Sequence, residues 1–196
     1  MKPARQLLRL TVALAVASLL GGAVLAYQRP SNTEKERFRA FAVNLGNSSA
    51  AAAAGQVDIV IDRWTTDPQR DKLMETFQKQ GAKALLGALQ DQPAVGSIRT
   101  PNSLAYDLRY ARELPGEDGG RRIILATDRP IGFAEATSGS RSLEYPFTVI
   151  EMRLDRDGRG EGKLSIATKL ILNDNVLVLE NYANQPVVLN SIEKQR

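Results

Sequence analysis

Acidic side chains in predicted strands are the residues of this sequence best suited to proton transfer. Asp107 and Glu151 each fall within such a strand, where a carboxylate can serve as a general base. They are the candidate catalytic residues for an isomerase or hydrolase that works through carboxylate and tyrosine groups. The competing interpretation is that they are solvated charges on the outer face of an antiparallel sheet.

A second carboxylate pair, Asp58 and Asp62, lies on one face of the predicted strand 56–65. At the usual strand rise, four residues span about 13 Å. Paired carboxylates of glycosidases are only ~5–9.5 Å apart. This strand alone therefore does not build a two-carboxylate site.

The composition removes several classes of chemistry. The 196-residue chain contains neither cysteine nor histidine, which excludes disulfides, thiolate nucleophiles, Ser-His-Asp triads and metal sites built on cysteine or histidine. The segment 155–162 (DRDGRGEG) resembles a calcium-binding loop, but Arg159 stands where an oxygen ligand belongs. We therefore expect a hairpin loop there, with neither a metal site nor a cofactor.

Four aromatic side chains are candidate ligand-binding residues. Trp64 lies near the end of the strand 56–65, and Phe133 lies in an irregular segment rich in glycine and serine. Tyr106 and Tyr110 alternate along the predicted strand 103–112, which places them on one face. Such a surface suits a small apolar or amphipathic ligand. The alternative is that these residues belong to an ordinary core.

The net charge is smaller than the whole chain suggests. The formal charge is +4, from 26 Lys and Arg against 22 Asp and Glu. Lys2, Arg5 and Arg9 lie in the first 26 residues, which contain no acid, so the remaining chain carries +1. Its bases are interspersed with acids and form no basic stripe, and we expect no nucleic-acid partner.

The N-terminus has the pattern of a secretory signal peptide. Basic residues in 1–9 precede an uncharged apolar run at 10–20 and small residues ending at Ala26. We predict a signal peptide over 1–26, a polar linker over 27–35 and export to the periplasm or the exterior, with no stable membrane span after cleavage. The alternative is an uncleaved membrane anchor through residues 10–28, which approach the length that spans a bilayer.

Residues 36–196 are predicted to form one β-dominated α+β domain. Period-two alternation indicates about nine strands, and one helical segment over 67–90 lies between strands two and three. Gly81 interrupts its pattern, so this segment is either a kinked helix or a helical hairpin. Most loops are too short for parallel crossovers, so the strands must pair antiparallel as a meander that forms a curled sheet, a barrel or a sandwich. The helix would plug an end or grip a face. The predicted strands are 36–45, 56–65, 95–99, 103–112, 122–128, 144–154, 163–172, 176–182 and 186–192.

Four runs of this sequence resemble a family of exported bacterial proteins with no assigned function. They are IRTPNSLAYDLRYAR (98–112), ILATDRPIGFAEA (124–136), YPFTVIEMRL (145–154) and LENYANQPVVLNSI (179–192). The resemblance implies an exported bacterial protein of one domain. It implies no activity, ligand or catalytic residue.

The sequence leaves three functions open. The first is a binding or accessory protein for a small apolar or amphipathic ligand or for a protein partner of the cell envelope. The second is the carboxylate and tyrosine enzyme described above. The third is a structural interaction module of the envelope that pairs through an exposed strand edge.

Overall fold

The computed structural model describes residues 35–43, 54–100, 104–129, 131, 146–173, 176–181 and 186–196. Phe133, the predicted signal peptide, the alternative anchor 10–28 and the linker up to residue 34 lie outside these ranges. The strands are β1 (Glu36–Val43), β2 (Ala54–Ile61), β3 (Gly96–Arg99), β4 (Tyr106–Leu108), β5 (Tyr110–Pro115), β6 (Arg121–Thr127), β7 (Phe147–Leu154), β8 (Arg159–Asn173), β9 (Val176–Asn181) and β10 (Val187–Gln195). The helix α1 spans Asp67–Gln90, and a short 3-10 turn spans Glu117–Gly119.

The β-dominated α+β class is confirmed, and the helix lies between strands two and three as the sequence predicts. Each predicted strand has a counterpart in the structure. Among the described residues the strands number ten, because the fourth predicted strand is interrupted at Arg109, which separates β4 from β5. Within the described ranges, no helix combines the length and apolar character needed to cross a bilayer.

The sheet is a nearly closed antiparallel barrel. Its order is β4-β3-β2-β1-β10-β8-β7-β6-β5, and β9 pairs with β8 beside this path. The two ends of the order meet because β4 and β5 follow each other along the chain, one pairing with β3 and the other with β6. The amide of Arg109 between them donates to the carbonyl of Ala126 at 2.9 Å. The sequence left a curled sheet, a barrel or a sandwich open, and this seam shows that the sheet forms a nearly closed barrel.

Apolar side chains fill the inside of the barrel. In β1, β6 and β7 the inward residues alternate with exposed or half-exposed ones, as a sheet with one wet face requires. Small residues on β1, Ala40 and Ala42, are also fully buried there. The largest side chains of this cluster are Phe38, Ile59, Ile61, Ile98, Leu108, Ile123, Leu125, Ile131, Ile150, Met152 and Leu164.

The helix grips one face of the sheet. Its start is fixed by Thr66, whose hydroxyl accepts from the amide of Gln69 while the Gln69 side chain accepts from the amide of Thr66. Tyr110 and Phe147 pack on the helix. Each lies an odd number of residues from an inward residue of its strand, Ala111 or Ile150, and successive side chains of a strand point to opposite faces, so both point away from the barrel interior. The buried helical residues of this second cluster are Leu73, Phe77, Leu85 and Leu89.

Gly81 produces the predicted kink. Its backbone has φ 79° and ψ −173°, a combination reserved almost entirely for glycine. Gly81→Ala is therefore expected to lower the free energy of unfolding by about 1–3 kcal/mol, although no atom outside its own neighbourhood obstructs the added methyl. Urea denaturation followed by circular dichroism measures the change.

Gly87 is the matched control, since it lies in the same helix with helical geometry and open space around it. Gly87→Ala should raise the free energy of unfolding by about 0.5–1 kcal/mol. Equal effects of the two substitutions would contradict a backbone origin of the kink.

Candidate functional site

A charged cleft lies at one end of the barrel, where two hairpin loops come together. The loop between β5 and β6 covers 116–120, and the loop between β7 and β8 covers 155–158. The cleft between them has a volume of about 800 Å³. Its charged lining consists of five arginines, Arg121, Arg122, Arg153, Arg156 and Arg159, and four acids, Glu117, Asp118, Asp155 and Asp157.

The loop 155–158 is a tight turn, as the sequence predicts. One carboxylate oxygen of Asp155 accepts from the amides of Asp157 and Arg159, both at 2.9 Å. Gly158 closes the turn with φ 77°, which favours glycine. The first acidic residue of the segment that resembled a calcium loop, Asp155, thus holds the turn itself. Among the described residues, no three acidic side chains group closely enough to hold a metal ion.

Arg156 ties this turn to the opposite loop. Its Nε donates to the carbonyl oxygen of Asp118 at 2.9 Å. The guanidinium lies against Gly119, where a Cβ would approach Nε to 2.7 Å. Asp118 and Gly119 both have positive φ, 50° and 77°, so the loop turns sharply beneath the arginine. The cleft therefore has two short, hydrogen-bonded walls joined across its mouth.

A buried ion-pair cluster forms the floor of the cleft. Arg121 binds Glu36 through both terminal nitrogens, at 3.2 and 3.0 Å, and Glu113 at 3.2 Å. Lys194 Nζ lies 3.3 Å from Glu36, whose side chain is only 3% exposed. The guanidinium of Arg121 also lies 6.0 Å from the ring centre of Phe38 in the barrel core. Burial lowers the pKa of Arg121, but its hydrogen bonds and charge interactions with Glu36 and Glu113 outweigh burial and hold that pKa above its usual value.

The candidate base Glu151 is the ion-pair partner of two arginines that line the cleft, Arg122 and Arg153. Its Oε1 lies 2.9 Å from Nε of Arg122 in an ion pair and accepts a hydrogen bond from Nε of Arg153 at 3.0 Å. The two arginines are directly opposite each other on β6 and β7, so the carboxylate separates like charges. The hydrogen bond and charge of Glu151 raise the pKa of Arg153. This arrangement gives Glu151 a structural partner on the outer face of the sheet.

The other candidate base, Asp107, is far from Glu151. Asp107 is half exposed on β4 and pairs with Arg109 at 3.2 Å. Glu151 is opposite Ile124, which is opposite Arg112 on β5, five residues beyond Asp107. At the usual spacings this separates the two carboxylates by roughly 16 Å along the strand and about 10 Å across it. The structure does not bring them together in one site.

The aromatic candidates are divided between two clusters. Tyr106 and Trp64 pack against the barrel core, and Arg129 lies 5.1 Å from the ring centre of Tyr106. Tyr110 packs with the helix on the other face. The sequence predicts that the two tyrosines share a face. The interruption at Arg109 reverses the alternation, and they lie on opposite faces of the sheet instead. They form no common ligand surface.

Sequence reasoning did not identify the arginine-lined cleft. Its local signals were present, since arginines adjoin both turns in RR at 121–122 and in DRDGR at 155–159. These pairs are distant in sequence, and only the pairing of β6 with β7 brings them to one end of the barrel. The chain matches no protein-family model, no curated protein and no solved structure, so no activity or ligand comes to this cleft from a relative.

Proposed function

We propose that this protein is an exported binding protein that holds a small, charged, water-soluble ligand in the cleft between the loops 116–120 and 155–158. The observation that supports this is the cleft itself. Its volume of about 800 Å³ falls in the range of small-molecule sites. Its lining is dominated by charged side chains, and guanidinium groups in such a setting recognise carboxylate or phosphate groups through paired hydrogen bonds.

We propose that the cleft binds its ligand without catalysing a reaction. A general base needs a substrate within hydrogen-bond reach and a proton to transfer. Neither candidate base lines the cleft, and Glu151 is already ion-paired with two arginines. The cleft is lined by arginines and by carboxylates of the two hairpin loops, and these groups suit the recognition of a charged ligand.

A charged ligand is favoured over the apolar one that the sequence suggested. An apolar ligand would need a chamber inside the barrel, but the inward side chains form one continuous cluster. Ile59, Leu125 and Ile150 in this cluster have no exposed surface. Interiors packed in this way leave few voids larger than a water molecule.

Export is part of the proposal and is supported by the basic, apolar and small-residue sequence of residues 1–26. Intact-mass measurement of the protein recovered from its native host distinguishes the two sequence-based alternatives. Loss of residues 1–26 supports export with cleavage, and a full-length protein retained in the membrane fraction supports the anchor at 10–28.

Nuclear magnetic resonance titration tests the ligand class. The probes are a mixture of free amino acids and dicarboxylates, inorganic phosphate, and dodecanoate as the amphipathic representative. We expect the small charged probes to shift the backbone amides of 116–120 and 155–160, and dodecanoate to leave the methyl signals of Ile59, Leu125 and Ile150 unchanged. Shifts of those methyls by dodecanoate, with a silent cleft, would overturn the proposal in favour of an apolar ligand.

A further inference from the structure

The charges of the cleft are of two kinds, those already paired within the protein and those left for a ligand. Arg121 is paired with Glu36 and Glu113. Arg122 and Arg153 share Glu151. Three of the five guanidinium groups in the cleft are therefore already paired with carboxylates of the barrel itself.

The two arginines of the hairpin turn retain binding capacity. Arg159 is exposed and makes no ion pair within the described part of the chain. Arg156 is also exposed, and its described side-chain hydrogen bond goes to a neutral acceptor, the carbonyl of Asp118. A guanidinium has five N–H donors, so the terminal nitrogens of both residues remain able to bind a carboxylate.

Three carboxylates of the cleft are similarly unpaired. Glu117, Asp118 and Asp157 are exposed, and none of them lies in an ion pair among the residues that the structure describes. Glu117 adds only a lesser charge effect on Arg153. Asp155 differs, because its carboxylate holds the turn. Unpaired charges of both signs thus face the same cleft.

We propose that the ligand of this cleft is a zwitterion the size of a short peptide, with its carboxylate bound by Arg156 and Arg159 and its ammonium group bound by Glu117, Asp118 or Asp157. This inference rests on the proposed binding function and specifies its ligand. A simple anion would meet more unpaired carboxylates than guanidinium groups, and a simple cation would leave both arginines unused. A molecule with both charges satisfies both sets, and electrostatic complementarity of this kind sets specificity.

Capped peptides separate the two charges experimentally. Trialanine carries both, its N-acetyl form carries only the carboxylate, its C-terminal amide carries only the ammonium group, and the doubly capped form carries neither. Amide shifts of 116–120 and 155–160 give the affinities. We expect each single cap to weaken binding about tenfold or more, since each cap removes one hydrogen-bonded charge.

Two variants assign the charges to residues. Arg159→Gln should reduce the preference for the free carboxylate over its amide, since Arg156 remains, and Asp157→Asn should reduce the preference for the free amine over its acetyl form. Arg70→Gln, on the exposed side of α1, is the matched control and should leave both preferences intact. Unchanged amide spectra away from the loops verify that the variants fold.

The outcomes distinguish this inference from the binding function on which it rests. If inorganic phosphate or a singly capped peptide binds the cleft as tightly as trialanine, the zwitterion proposal is wrong and the charged-ligand function stands. If no charged probe shifts the cleft amides, both are wrong. If trialanine binds best but Arg159→Gln and Arg70→Gln behave alike, the assignment to the hairpin arginines is wrong.

Discussion

Arg121→Met is expected to lower the free energy of unfolding by about 3–5 kcal/mol, the usual cost of removing one partner from a buried ion pair. Arg121 is 22% exposed and satisfies both oxygens of Glu36, whose side chain is 3% exposed. Without the guanidinium, the one cation that this carboxylate keeps among the described residues is Lys194, at 3.3 Å. Urea denaturation at low salt measures the loss.

The adjacent arginine is the control for this substitution. Arg122 is 46% exposed and pairs with Glu151 on the outer face, so Arg122→Met should cost about 1 kcal/mol or less. The double variant Arg121→Met with Glu36→Gln should recover part of the loss, since no uncompensated charge is then buried. Equal costs for Arg121→Met and Arg122→Met would contradict a buried cluster at the floor of the cleft.

The contribution of Arg121 should be independent of pH in the neutral range. Its pKa is raised above an already high usual value by Glu36 and Glu113, against the opposing effect of burial. A raised pKa of a cation gives stability that is complete below the unfolded-state pKa and is lost only as pH rises through the folded-state pKa. Between about pH 6 and about pH 9 the difference between Arg121→Met and the unsubstituted protein should therefore stay constant.

Ile59→Ala is expected to lower the free energy of unfolding by about 2–5 kcal/mol because it opens a void in a packed interior. Ile59 is fully buried on β2, opposite Phe38 of β1 and Ile98 of β3, so three large side chains share one level of the barrel. Thermal and urea unfolding measure the loss. Ile59→Val should cost much less, about 0.5–1.5 kcal/mol.

Phe41 on the same sheet is the control for Ile59. It lies on the outer face of β1 and is 48% exposed, so Phe41→Ala should cost about 1 kcal/mol or less. The comparison also bears on function. If Ile59→Ala lowers the free energy of unfolding as little as Phe41→Ala does, Ile59 faces an open chamber. An apolar ligand inside the barrel would then be favoured over the charged one.

The helix and the turns follow from residues close together in the chain. Thr66, Asp67 and Pro68 mark the start of α1, and helical spacing of its apolar residues predicts its extent, which the structure confirms as Asp67–Gln90. The kink at Gly81 and the turn that ends in Gly158 were predicted for the same reason, because each depends on the backbone freedom of a single glycine.

The strands were also predictable, as were the hairpins of β7 with β8 and of β8 with β9, but the pairings that close the sheet were not. Alternation along β1, β2 and β7 shows which side chains are buried without showing which strands adjoin. In the structure β1 pairs with β10, the last strand. The hydrogen bond from Arg109 to Ala126 at the seam also joins separate strands. Such pairings form only when the whole sheet closes. They join residues far apart in the chain, so no short stretch of the sequence predicts them.

The absence of cysteine and histidine, the β-dominated class and the position of the helix were determined by the sequence alone, because composition and periodicity are properties of the chain itself. The tertiary structure alone decided that the sheet closes as a barrel, that Tyr106 and Tyr110 separate, and that Arg121 meets Glu36 across 85 positions of sequence. The physical reason is that the register of distant strands decides which charges and rings come together, and that register depends on every strand of the sheet.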